Sequence, residues 1–191
     1  MGALLAADSW ILSKGGPVVM KTLILLGTAH RVQGAERGSC NIEDPDYETL
    51  VDQLCQEYAV DFVFEEASGL GPTIAEKFAF ANIGPHRYKD VDPSAADRKK
   101  LGIPAETSRD YRIGALNFDT NHWGFGREEL IEAHETREHF WLPFIREQKF
   151  MRALVICGQA HLLSFAFRLK SDGFNVKAYS YMPYALLARP T

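Results

Sequence analysis

Cysteine is scarce in this 191-residue chain: Cys40, Cys55 and Cys157 are odd in number and include no Cys-x-x-Cys pair. A disulfide framework and a zinc knuckle both need paired cysteines, so neither is supported, and a reducing compartment is the default. No apolar run approaches the ~20 residues that a membrane-crossing helix needs. Excess positive charge is also missing. The 21 Lys and Arg are outnumbered by 25 Asp and Glu, and they are scattered rather than gathered into a stripe. Nucleic acid is therefore not an expected partner. The chain has no Gly-x-Ser-x-Gly elbow and no phosphate-binding P-loop, and Gly69-Leu70-Gly71 is too short and misplaced for a dinucleotide fingerprint.

What is present is ordinary globular composition, 46% hydrophobic and 24% charged, in a length that suits one domain. Residues 1–19 show neither helical nor strand periodicity, and Met20 opens a more natural start, Met-Lys-Thr-Leu-Ile-Leu-Leu-Gly. We read 1–19 as an extension, a flexible arm or the product of an upstream start, and 20–191 as a single α/β domain. Lys21 and the apolar residues after it faintly resemble a signal peptide. The stretch is short, however, and runs into His30 and Arg31 without a small-residue cleavage pattern, so a buried strand explains it better. The expected location is the cytoplasm.

Five short apolar or β-rich runs, Thr22–Leu26, Val60–Phe64, Arg87–Val91, Arg152–Cys157 and Val176–Tyr181, read as strands. Several are continuously apolar, as strands covered on both faces of a parallel sheet are. Between them lie helical signals. Asp44 reads as an N-cap with Pro45 at the first helical position, and Tyr47, Leu50, Val51, Leu54 and Tyr58 form one apolar stripe. Ile74–Ala81, Arg127–Gln148 (interrupted or kinked near Pro143) and His161–Ser171 (ended by Gly173) are further helices. The expected fold is α/β: a mostly parallel sheet of about five strands flanked by helices. Residues 93–126, rich in Pro, Gly, Asp and Asn, read as a long central loop carrying Trp123 and Phe125.

In an open parallel sheet, ligands bind at the carboxyl ends of the strands. The first strand runs into Gly27-Thr28-Ala29-His30, the second into Glu65-Glu66, the third into Asp90-Val91-Asp92 and the fourth into Gly158-Gln159-Ala160-His161. Two imidazoles and up to four carboxylates thus gather on one rim. The glycines are expected to let the backbone turn sharply there. A divalent metal takes such imidazole and carboxylate donors, with His30, His161 and Glu65 as its ligands; a Glu–His pair also serves as acid and base without one. Successive residues of a strand point to opposite faces, so at most one of Glu65 and Glu66 is expected to face the site, with Glu65 slightly preferred. Asp90 and Asp92 are weaker candidates, because aspartate is common in turns.

His134 and His139, five apart on a helix, do not share a face and read as surface residues. His86 sits in a turn and His122 in the long loop. Cys157 lies inside an apolar strand, where an inert buried thiol outweighs a nucleophile.

With two Gly-x-x-His motifs, a Glu after the second strand, and Arg137-Glu138 opening a helical stretch before Val155-Ile156-Cys157-Gly158-Gln159-Ala160-His161-Leu162, the chain resembles the TraB/Tiki superfamily. That group includes erythromycin-esterase-like and haem-binding ChaN-like proteins. The resemblance spans roughly residues 20–180 and rests on about ten positions; the chain is short for the group, and its central loop matches no familiar segment. It implies a site built from His30, Glu65 or Glu66, Arg137 and His161. The expected function is a small soluble hydrolase acting on a small-molecule or peptide substrate. Glu65, Glu66, Arg137 and His161 are its candidate catalytic residues, Arg137 stabilising an oxyanion, with a divalent metal as cofactor. The alternatives are a non-catalytic module holding a small ligand or haem under Trp123 and Phe125, and a partner-binding regulatory protein.

Overall fold

A computed structural model describes residues 20–34, 44–67, 71–103 and 127–182. Residues 1–19, Cys40, His122, Trp123 and Phe125 lie outside them.

The apolar runs form strands β1 (Thr22–Thr28), β2 (Phe62–Glu65), β3 (Tyr88–Asp90), β4 (Arg152–Gly158) and β5 (Asn175–Tyr181). They make one sheet in the order β3-β2-β4-β1-β5, and every pairing is parallel. The central strands β1 and β4 are buried almost throughout, which explains why their sequences run continuously apolar rather than alternating. On β5 every position is exposed or only half-buried, as suits an edge strand.

Helices cover both faces. On one face α1 (Pro45–Glu57) and α2 (Ile74–Asn82) press Tyr47, Val51, Leu54, Ala75 and Ala79 onto Ile24, Leu26, Val63, Leu154 and Ile156. After α3 (Ala95–Lys100), the opposite face is closed by α4 (Arg127–Glu147) and α5 (Leu162–Ser171), which set Trp141, Ile145, Phe165 and Leu169 against Leu23, Leu25, Phe64 and Val155. Each fully buried side chain of this size contributes roughly 1.5–3 kcal/mol by leaving water.

Local signals place the helices. Asp44 caps α1 by accepting from the Tyr47 backbone N–H, and Thr73 and Glu76 form a reciprocal capping box at the start of α2. Gly173, at φ +89°, ends α5 while the Phe174 N–H reaches back to the Leu169 carbonyl and the Gly173 N–H to Lys170. Two readings are refined. The expected helical stretch over Arg127–Gln148 is present as one helix, Arg127–Glu147, that continues through Pro143 without interruption. The stretch expected to be a loop begins with α3, capped by Ser94 through the Asp97 N–H. Among the described residues, no helix is long and apolar enough to cross a membrane.

Candidate functional site

The two Gly-x-x-His motifs end neighbouring strands. In the β1–β4 register Gly27 lies opposite Cys157 and Thr28 opposite Gly158, so the motifs are offset by one residue. Each strand runs into a single 3-10 turn, His30–Val32 after β1 and Gln159–His161 after β4. His30 opens its turn and His161 closes the other. The His30 side chain consequently keeps 17% of its surface open, whereas His161 keeps 2%.

The glycines serve a purpose other than the expected sharp turn. Neither Gly27 nor Gly158 has positive φ, and Gly158 is extended at φ −56° and ψ 142°. What they supply is space. A β-carbon on Gly158 would lie 2.9 Å from His30 Nε2 and 3.4 Å from Glu66 Oε2, and one on Gly27 would lie 2.9 Å from Leu162 Cβ. For Gly158→Ala the obstacle is the tip of a side chain, so the ring yields rather than the strand. We expect a loss of about 1 kcal/mol in urea denaturation, at the low end for overpacking, together with an altered NMR titration of His30. A titration curve that overlays the native one would contradict the close approach.

Glu66 joins the two imidazoles. It follows β2 directly, its N–H bonded to the Ile156 carbonyl, and its side chain is fully buried. Glu66 Oε1 lies 3.3 Å from His30 Nε2 and 4.0 Å from His161 Nε2, so both rings face one oxygen. Oε2 accepts from the Gly158 N–H at 2.7 Å, and Oε1 accepts a short hydrogen bond from Arg137 Nη2. Burial alone would raise this carboxyl's pKa, but Arg137, His30 and His161 together hold it well below the ordinary value of 4.5. For His30, burial opposes protonation, yet the charge and hydrogen bond of Glu66 win and raise its pKa above 6.5.

Arg137 is itself held. Its Nη2 also donates to Asp92 Oδ1 at 2.7 Å, and Asp92 Oδ2 accepts from Arg98 Nη2 at 2.5 Å. Arg98, Asp92, Arg137 and Glu66 thus alternate in sign through the interior, so each buried charge meets its opposite. Asp92, only a weak candidate in sequence, belongs to this chain of charges. Asp90 accepts from the Ala67 and Asp92 N–H groups and organises the turn.

Each imidazole is aimed by its other nitrogen. His30 Nδ1 lies 2.7 Å from Gln33 Oε1. His161 Nδ1 lies 3.1 Å from Glu138 Oε1, and Glu138 also accepts from Ser164 Oγ at 2.6 Å and Arg168 Nε at 3.3 Å. Burial opposes ionisation of Glu138, but those hydrogen bonds keep its pKa below 4.5. Trp141 meets the His161 ring edge-on at 4.7 Å, and the His134 ring packs on it at 4.4 Å. His134 is therefore half-buried against the site rather than an open surface residue; burial, with the nearby His161 and Arg137, pushes its pKa down to about 4. His139 is exposed and contacts Arg168 Nη1, and His86 is exposed in a 3-10 turn.

Gln33, Glu138 and His134 did not stand out in the sequence as site residues. The signal for two of them was present. His134, Arg137, Glu138 and Trp141 are spaced i, i+3, i+4, i+7, one face of α4, whereas His139 lies on another.

Glu65 goes elsewhere. The preference for it over Glu66 beside the imidazoles is reversed by the geometry: as the last residue of β2 it points to the α1–α2 face. There its Oε2 accepts from Thr73 Oγ1 at 2.5 Å and Tyr88 OH at 3.0 Å, and burial raises its pKa to about 7 despite both bonds. A metal set of His30, Glu65 and His161 is therefore not assembled. Replacing Glu65 by Glu66 does not restore it, because the one oxygen facing both imidazoles already accepts from Arg137, a fixed cation. The donors fit a guanidinium rather than a divalent ion. Cys157 is buried in β4, and burial pushes its thiol pKa well up, leaving it inert.

Comparison with family models, with curated proteins and with solved structures finds no match to this chain.

Proposed function

We propose that the protein is a small hydrolase working by acid–base chemistry between two imidazoles, on an ester or amide bond of a small-molecule or peptide substrate. The observation that supports this most is the convergence of His30 Nε2 and His161 Nε2 on Glu66 Oε1, with each Nδ1 held by a separate acceptor. The two rings sit in different surroundings, as an acid and a base must. His161, with Nδ1–H on Glu138, presents Nε2 as base. His30, whose affinity for its proton Glu66 and Gln33 raise, presents Nε2–H as acid on the more open side.

In the reaction, His161 Nε2 takes a proton from water as its oxygen bonds to the substrate carbonyl carbon. His30 Nε2–H protonates the leaving oxygen or nitrogen as its bond to that carbon breaks, giving an acid and an alcohol or amine. The proton then returns from His161 to His30 by way of Glu66 Oε1 or solvent. Arg137, holding Glu66 and Asp92 through Nη2, keeps Glu66 ionised and in place; the oxyanion role suggested by the sequence would fall to its Nε, which makes no hydrogen bond.

Chromogenic ester and peptide panels test the proposal. Against any substrate that turns over, His30→Ala and His161→Ala should each lose on the order of 10²–10⁴ in rate, the usual worth of a positioned acid or base, and chelators should change nothing. Activity retained in both variants rejects the two-imidazole reading. Activity lost to a chelator and recovered with added metal would replace it with a divalent-metal mechanism.

A further inference from the structure

The α1–α2 face of the sheet holds a second group of polar atoms that the acid–base reading does not use. Thr28 Oγ1, Gln33 Nε2, Tyr47 OH and Glu65 Oε1 are all buried and make no hydrogen bond; the described residues show only two other such side-chain atoms, Arg137 Nε and Trp141 Nε1. The four residues are at most 1% exposed. Several links place them together. Gln33 is tied to the start of α2, its carbonyl accepting from the Ile74 N–H while Gly34 bridges Thr73. Thr73 in turn donates to Glu65. Tyr47 belongs to the buried cluster that packs on Val63, whose strand face Glu65 shares. Thr28 is the register partner of Tyr181, whose ring packs 5.5 Å from Tyr47.

Leaving a buried polar atom unsatisfied costs about 1–3 kcal/mol, and native interiors leave few of them. Four around one region call for a shared guest. The guest's chemistry follows from the lining. Gln33 Nε2 only donates, Glu65 Oε1 accepts when ionised, and the two hydroxyls do either. A small neutral molecule that both donates and accepts suits this set, and water meets that description in buried polar sites.

We infer that this face encloses an ordered-water site lined by Thr28, Gln33, Tyr47 and Glu65, and that the water bonded to Gln33 Nε2 fixes the Gln33 amide and, through it, the tautomer of His30. Gln33 is the side chain common to both sites. With Nε2 committed to water, its Oε1 is the atom left to accept from His30 Nδ1–H, so His30 keeps the Nδ1–H tautomer whenever it gives up its Nε2 proton. Gln33 is then a positioning residue. The functional half of this inference rests on the reading of His30 as an acid; the water and the tautomer do not.

A crystal structure that resolves ordered solvent, together with imidazole ¹⁵N NMR above the His30 pKa, tests it. Water density bonded to Gln33 Nε2 and to one or more of Glu65 Oε1, Tyr47 OH and Thr28 Oγ1 is the expected result; a dry region, or a protein side chain filling it, overturns the site. By NMR the native His30 should be the Nδ1–H tautomer. It should become a mixture in Gln33→Leu and return to Nδ1–H in Gln33→Glu, which keeps an oxygen for that proton. Because Glu lacks the amide NH₂, its recovery also shows that a Gln33→Leu change is not simple misfolding. An unchanged tautomer in Gln33→Leu, or an amide bonded to His30 through nitrogen, overturns the positioning role. If no substrate is ever hydrolysed, the acid–base reading fails while these two results stand or fall alone.

Discussion

Arg137→Leu is expected to lose about 3–5 kcal/mol of unfolding free energy, the loss typical when one partner of a buried ion pair is removed. Glu66 is fully buried and its Oε1 faces Arg137. Without the guanidinium it keeps the Gly158 N–H and the two imidazoles, none of them a fixed cation, too little to stabilise a carboxylate fully away from water. Asp92 suffers less, since Arg98 still holds it. The pH dependence should change with the stability. A carboxyl whose pKa is depressed by folding contributes stability that is present above its unfolded pKa, 4.5 here, and is lost as pH falls through the folded value. The native protein should therefore weaken in acid below about pH 4.5, and Arg137→Leu, with a smaller depression at Glu66, should show less of that slope. Urea denaturation across the acid range measures both effects. A loss below about 1 kcal/mol would mean that Glu66 is rescued by solvent, and that the charge chain is no more than a surface-strength pair. The paired change Glu66→Leu with Arg137→Leu should recover most of the loss, because exchanging a whole buried ion pair for apolar groups is often close to neutral.

Trp141→Ala carries the other large effect, also about 3–5 kcal/mol, the range for removing a buried Trp or Phe ring. The indole is fully buried, edge-on to Phe165 at 5.2 Å and to His161 at 4.7 Å, with the Arg137 guanidinium 5.6 Å from its centre. Its loss opens a cavity at the junction of core and site. His161 should then sample more than one orientation, so a turned-over substrate should show a lower rate in addition to the lower melting temperature. Trp141→Phe should lose much less, since it keeps an aromatic wall and removes an indole N–H that has no hydrogen-bond partner. Because Arg137 and Trp141 touch, the two substitutions should not add. Simple additivity in the double variant would show the contact to be energetically idle.

Much of the fold is legible in local sequence. Continuous apolar runs with helical stripes between them specify a parallel sheet covered on both faces, and the structure has five such strands within two residues of the expected bounds. The caps Asp44 and Thr73 and the stop at Gly173 are local chemistry, set by backbone groups a few residues away. Even the shared rim follows, because strand ends in a parallel sheet lie on the same side.

The site's wiring is a different matter. Whether Glu65 or Glu66 turns toward the imidazoles depends on where β2 stops pairing with β4, which one residue decides and no propensity encodes. The partnership of His161 with Glu138 needs α4 and α5 packed on one face, so it follows from a contact between elements rather than from a spacing.

The two Gly-x-x-His turns show both halves of this. By itself the sequence determined that His30 and His161 end strands of one parallel sheet, because apolar runs and turn residues act over a few neighbours. Only the tertiary structure decided that β4 slots in beside β1, that the glycines are there for space rather than for turning, and that Arg137 stands where a metal was expected. Those outcomes depend on distances between side chains far apart in sequence, which are fixed only when the helices close on the sheet.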